Sequence, residues 1–328
     1  MQLTISTFAG YTIRSVNRRT FLGVAGAAVA GTAAAVDVPI IDTHIHLFDP
    51  TRPQGVPWPA KDNAALYKPA LPDRYRKLTA GLGIAGAIEV EASPWVEDNQ
   101  WVLDVAAKDK ILVGTIGDLE PGSADFPKQL ERFHKNPLFR GIRYGNLWDR
   151  KFAEEAAKPA FIADLKRLAA AGLVMDTANP DTALVDTVVR ITDKVPELRV
   201  VVDHLPQLNP PADAAARRAY EGNLRELGKR PQVYVKLSQI FQKANGKTIE
   251  DFAYYRPRLD EVYGVFGEDR VLFGSDWPNS DQWAPYDKVL GLVRDYFAGK
   301  SRAAQEKYFW KNSVAAYRWV KREPGQPG

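Results

Sequence analysis

The stretch Val38-Pro-Ile-Ile-Asp-Thr-His-Ile-His-Leu-Phe-Asp49 decides how the rest of the chain is read. Its apolar run predicts a short buried strand. Successive side chains on a strand face opposite ways, so His44 and His46 point together where the strand ends. The chain has only 4 histidines. Two of them converging at a strand terminus suits a metal site or a group that polarises a carbonyl.

Seven more short apolar runs follow: Gly86 to Val90, Ile111 to Ile116, Phe139 to Arg143, Leu173 to Met175, Leu198 to Val202, Val233 to Leu237 and Val271 to Phe273. Between them lie stretches of helical periodicity, such as Trp101 to Lys108, Phe161 to Leu168 and Thr182 to Val189. Strands alternating with helices in this number predict a (β/α)8 barrel, closed by a last helix over Arg302 to Lys321. An open doubly wound sheet competes, but no glycine-rich phosphate turn follows the first strand.

A barrel of this kind works at the C-terminal ends of its strands. Four strand ends carry reactive groups: His44 and His46 on the first, Arg143 on the fourth, His204 on the sixth and Asp276 on the eighth. Singly, each has a structural reading: a capping histidine, a helix N-cap, a surface ion pair. Their placement at one rim favours chemistry. The proline-rich first connection, Phe48 to Pro72, brings Trp58 and Tyr67, which would stack on a ring substrate or simply cap the mouth. Ser93 and Ser238 also reach the mouth as expected substrate contacts. Lys236 and Asp42 share inward parity and are expected to pair inside the barrel. His134 lies in a helical stretch away from any strand end and reads as structural.

The chain contains no cysteine, so neither disulfides nor thiolate ligands are available, and any metal must be held by nitrogen and oxygen. At the N-terminus, Arg18-Arg-Thr-Phe-Leu22 and a modest apolar stretch ending in Ala35 form a twin-arginine signal pattern. It predicts use of the twin-arginine export machinery, cleavage after Ala35 and a periplasmic or secreted protein, unless the segment is kept as an anchor. Residues 36–322 then form the barrel and 323–328 an unstructured tail. Basic residues number 44 and acidic ones 40, and three of the basics lie in the leader, so the mature chain is near charge balance and no nucleic-acid partner is expected. No membrane span is expected in the mature protein, because the apolar stretch of the leader is too short and alanine-rich. Oligomeric state is not legible.

Asp42-Thr-His-Ile-His46, Arg140-Gly-Ile-Arg143, Val202-Asp-His-Leu-Pro206, Val235-Lys-Leu-Ser238 and Phe273-Gly-Ser-Asp-Trp-Pro278 together resemble the amidohydrolase superfamily. The nearest branch is the one holding sugar lactonases such as L-fuconolactonase, and 2-pyrone-4,6-dicarboxylate lactonase. The resemblance spans about Val38 to Tyr317 and implies a distorted (β/α)8 barrel. It also implies a lactonase: Asp276 as general base for water, His44, His46 and His204 polarising the carbonyl, and Arg143 gripping a substrate carboxylate or sugar hydroxyls.

The chain departs from metal-dependent relatives in lacking a histidine after strand five, where Leu173-Val-Met-Asp-Thr177 stands, and in placing Arg143 at strand four. A two-metal site is therefore not expected. Either His44, His46 and Asp276 hold one zinc, or the barrel works without metal. Two other functions compete: a metal-dependent decarboxylase or hydratase of aromatic carboxylates, which the missing histidine disfavours, and an exported binding protein without turnover.

Overall fold

The structure, a computed structural model, describes residues 38–328; the leader expected over residues 1–35 lies outside the described residues. Eight parallel strands pair in sequence order: β1 (Ile40–Ile45), β2 (Ile84–Val90), β3 (Leu112–Gly117), β4 (Phe139–Arg143), β5 (Val174–Asp176), β6 (Arg199–Val202), β7 (Val233–Leu237) and β8 (Val271–Phe273). Their inward residues, among them Ile41, Ile88, Val113, Val174, Val201 and Leu272, form an inner apolar layer distinct from the larger one under the helices. This is the (β/α)8 barrel that the alternation of patterns predicts. Among the described residues no helix is long and apolar enough to cross a membrane.

β8 pairs with β7 over its three residues, and no ladder joins it to β1 among the described residues. The seam to β1 is sewn above it instead: Thr43 Oγ1 donates to Phe273 O at 2.5 Å, Asp276 N to His44 O at 2.8 Å and His46 N to Trp277 O at 2.7 Å. Closure therefore brings His44, His46 and Asp276 to one place. Gly274 permits it, since a Cβ there would lie 2.8 Å from the His44 Cβ.

Asp42 does not pair with Lys236. The β1–β2 register shifts between Asp42 and Ile45, and such a bulge reverses the inside-outside alternation. Asp42 instead accepts from Tyr75 OH and Tyr286 OH, both at 2.9 Å, on the surrounding helices, and from Ser275 N at 2.8 Å. Lys236 meets Asp176 and Asp203 inside the barrel.

The closing helix also differs from expectation. It runs as Arg302–Glu306, a wider π-type turn at Lys307–Lys311 and Asn312–Tyr317, so that the adjacent Tyr308 and Phe309 are both buried. It stops at Tyr317, whose hydroxyl donates to Asp176 Oδ2 at 2.9 Å, and Trp319 folds back to donate to Ser313 Oγ. The tail expected to be unstructured is fastened at Gln326, only 2% exposed: its Nε2 donates to Lys110 O and its Oε1 accepts from Arg322 N, both at 2.7 Å.

Candidate active site

Asp276 stands at the centre. Its Oδ1 lies 3.1 Å from His46 Nε2, 3.5 Å from His44 Nε2 and 3.8 Å from His204 Nε2, and its Oδ2 accepts from Gln239 Nε2 at 2.6 Å and Asn279 Nδ2 at 2.8 Å. All three histidines and the aspartate are buried. Burial alone would raise the Asp276 carboxyl, but the electrostatic influence of His204, the contact with His46 and the influence of His44 outweigh it and hold the group well below the usual carboxylate range. For His44, burial first, then the charges of Lys236, His204 and His46, pushes the pKa well below the ordinary histidine value. Burial likewise lowers His204. Both are neutral imidazoles at neutral pH, each with one N–H to give.

Hydrogen-bond partners say where those protons sit. Ser238 Oγ meets His204 Nδ1 at 2.7 Å. With the hydroxyl donating, His204 Nε2 carries the hydrogen and aims it at the site. His46 Nδ1 lies 2.8 Å from Val90 O and must donate to it, which leaves Nε2 without a hydrogen of its own opposite Asp276 Oδ1. Two acceptors at 3.1 Å require a proton or a cation between them. His44 Nε2 is buried with no hydrogen-bond partner among the described residues. These two nitrogens and the Asp276 carboxylate, whose ligand atoms lie within 4.8 Å of one another, fit a single divalent cation bound by nitrogen and oxygen.

The cleft above this cluster holds about 590 Å³ and is walled by Trp58, Arg143, Trp148, His204 and Asp276. Its rim has a shared backbone feature: Trp148, Asn179, His204, Gln239 and Asp276, which follow β4 to β8 in turn, all have left-handed backbone, with φ from 47° to 62°. Non-glycine residues adopt that region uncommonly and at a cost of order 1–3 kcal/mol each, and such positions cluster at functional sites. The left-handed turn directs each of these side chains back over the barrel mouth.

Arg143 is fixed from behind by Glu91. Its Nε donates to Glu91 Oε1 at 2.8 Å and its Nη2 to Glu91 O at 2.7 Å, while the Trp148 indole donates to Glu91 Oε2 at 3.2 Å and Ser93 N to the same oxygen at 3.0 Å. One buried carboxylate thus positions both a cation and an aromatic wall. Burial would weaken the guanidinium charge, but Glu91, Asp203 and Asp276 raise its pKa instead.

Not every expected contact reaches the cleft. Trp58 does, with its ring centroid 5.5 Å from that of His46. Tyr67 is not among the residues that line it; its backbone N closes a local turn onto Asn63 O. Ser93 closes the turn that precedes a helix, accepting from Trp95 N at 3.1 Å, and lines a neighbouring cavity of about 410 Å³. Ser238 acts on His204 rather than lining the cleft. His134 closes a turn through Leu130 O, far from the cluster, as its helical position predicts. Sequence reading missed Glu91, Trp148, Asn179, Gln239 and Asn279. Only Asn279, directly after the Trp-Pro pair, had a position that could have flagged it.

Known proteins resemble this chain in sequence and fold. L-fucono-1,5-lactonase of Burkholderia ambifaria is 29% identical over 262 residues, spanning 79% of this chain and 84% of that protein. L-fucono-1,5-lactonase of Burkholderia multivorans is 26% identical over 293 residues, or 84% and 94% of the two chains. A crystal structure of an amidohydrolase from Burkholderia multivorans with bound zinc superposes with a TM-score of 0.75 at 23% identity, covering 86% of this chain and all of that one. The family model described as Amidohydrolase matches residues 41–319 and takes in every strand of the barrel with the histidine pair and the aspartate, so the chain belongs to the amidohydrolase family.

Proposed function

We propose that this chain opens a sugar lactone, with water activated by Asp276 and the carbonyl oxygen held by histidine N–H groups. The protein is a hydrolase acting on a cyclic ester; the proposal concerns which ester and which groups. What carries it is the convergence of three imidazoles on one buried carboxylate at the floor of an aromatic-walled cleft. Relatives named as L-fucono-1,5-lactonases support the same reading.

A lactone carbonyl oxygen seated over the cluster receives the His204 and His44 N–H groups. Asp276 takes a proton from water as the water oxygen bonds to the carbonyl carbon, giving a tetrahedral oxyanion held by the same donors. The ring C–O bond then breaks, and Asp276 returns the proton to the leaving alkoxide, so lactone and water become a hydroxy acid. A carboxylate so strongly stabilised is a weak base in the resting site. As the developing oxyanion draws the histidine donors to itself, Asp276 loses that stabilisation and gains basicity when it is needed. A divalent cation held by His44, His46 and Asp276 would replace the His44 N–H, since that nitrogen cannot donate and ligate at once, and would supply carbonyl polarisation and a more acidic water.

Charge favours a neutral sugar ring over a pyrone carboxylate. The Arg143 cation is already answered by Glu91 at 2.8 Å, so the cleft has no surplus positive charge for a dicarboxylate. The indoles of Trp58 and Trp148 offer faces for a sugar ring, and Asn179 offers an amide. Export through the twin-arginine route, from Arg18-Arg19, completes the proposal and places hydrolysis in the periplasm.

Proton release on a panel of neutral aldonolactones and pyrone carboxylates tests the reading. Hydrolysis of the sugar lactones with little on the pyrones is expected. Silence across the whole panel would overturn it, and preference for the pyrones would overturn the charge reasoning alone. Fractionation of cells carrying Arg18→Lys/Arg19→Lys should show the protein retained in the cytoplasm.

A further inference from the structure

Beneath His44 lies a buried polar cluster that takes no direct part in hydrolysis. Lys236 is fully buried, and its Nζ reaches Asp176 Oδ2 at 2.6 Å, Asp203 Oδ1 at 3.0 Å and His44 Nδ1 at 3.1 Å. An ammonium has three hydrogens and no lone pair. Two of them go to Asp176 Oδ2 and His44 Nδ1, Asp203 Oδ1 being an ion-pair neighbour without a hydrogen bond, and His44 Nδ1, facing a group with no lone pair, must be an acceptor. Its hydrogen is forced onto Nε2, which faces Asp276 Oδ1.

Asp203 offers His44 the opposite arrangement. Its Oδ2 lies 3.5 Å from the same Nδ1 and has no hydrogen-bond partner among the described residues. With Nδ1 donating to Asp203, Nε2 would present a lone pair to the site, which is the form a metal ligand must take. Metal-bound histidines commonly rest on a carboxylate in this way, and such outer partners change metal affinity by about 10- to 100-fold. Lys236 and Asp203 therefore compete for one nitrogen, and in this structure Lys236 is the nearer.

We propose that Lys236 is a positioning residue that selects the Nε2–H form of His44, so that the site keeps an N–H donor for the substrate carbonyl and binds a divalent cation weakly. Asp203 is the partner held in reserve for the metal-binding form. The inference rests on His44, His46 and Asp276 as the cation's ligands and not on the identity of the lactone. Its readout is metal affinity, so its failure and that of the lactonase reading are told apart.

The test measures zinc affinity of the full mature protein by competition with a chromophoric chelator, and follows cobalt binding by its visible spectrum. Lys236→Met alone leaves two buried carboxylates without their cation and so risks misfolding. Lys236→Met/Asp176→Asn removes one charge of each sign and keeps Asp203 opposite His44. This double variant should bind zinc at least about tenfold more tightly than wild type. Adding Asp203→Asn should abolish the gain. A lysine that served stability alone would shift the melting temperature and leave zinc affinity within about threefold, and that result in a folded double variant overturns the proposal. Tight zinc binding by the wild type, equal to that of the double variant, overturns it as well.

Discussion

Replacing Asp276 by asparagine isolates the base from the scaffold around it. The amide fits the same hydrogen bonds: its oxygen still accepts from Gln239 Nε2 and Asn279 Nδ2, which reach Asp276 Oδ2 at 2.6 and 2.8 Å. Its NH2 group takes the position of Oδ1, 3.1 Å from His46 Nε2, which has no hydrogen of its own because Nδ1 donates to Val90 O. The two facing acceptors become a donor and an acceptor. Folding should thus survive, with stability within roughly 1 kcal/mol of wild type, the usual net worth of one hydrogen bond. Turnover should not survive, since a positioned general base contributes about 10²- to 10⁴-fold, or roughly 3 to 5 kcal/mol of barrier. The assay is proton release from a sugar lactone at saturating substrate, beside a thermal melt of the same preparation. A folded Asp276→Asn protein that hydrolyses lactone within about tenfold of wild type, a difference of only about 1.4 kcal/mol, would refute the assignment.

Three further predictions follow from the contacts around the site. Arg143→Lys keeps the charge but loses the planar fork whose Nε and Nη2 bond the carboxylate and the carbonyl of Glu91; KM should rise about tenfold with a smaller change in kcat, and an unchanged KM would remove Arg143 from substrate binding. Ser238→Ala removes the hydroxyl that fixes His204; kcat should drop by up to about tenfold while the melting temperature hardly moves, as steady-state kinetics and a melt would show. Glu89 is buried with its Oε1 unpartnered among the described residues, and burial first, then the charge of Glu91, raises its pKa well above the ordinary value. Its folded pKa exceeds its unfolded one, so the folded state binds the extra proton, and stability is fully present below about pH 4.5 and is lost as pH rises toward the folded pKa. Glu89→Gln does not titrate, so its stability relative to wild type, read from denaturant melts, should increase with pH above that value by about 1.4 kcal/mol for each unit by which the pKa is raised. A difference that does not vary with pH would contradict the linkage.

What the sequence determined by itself is whatever local periodicity encodes. Eight apolar runs alternating with helical stretches specify the barrel, because burial of one strand face and one helix stripe leaves few other solutions. The rule that such barrels act at the C-terminal rim then selects His44, His46, Arg143, His204 and Asp276 from the chain without a contact being known. Tertiary structure alone decided how these groups meet. His46 and Asp276 are 230 positions apart and touch because the seam between β1 and β8 is bonded above the last strand, through His44 O, His46 N and Trp277 O. A bulge no pattern announces sends Asp42 out to Tyr75 and Tyr286 and leaves Lys236 to Asp176, Asp203 and His44. Glu91 reads as one more residue at a strand end until Arg143 and Trp148 are seen to hang from it. Gln326 looks like part of a polar tail until its amide is found buried against Lys110 O. Sequence records which face of an element is apolar; partner choice, backbone handedness and proton position depend on atoms brought together from distant parts of the chain.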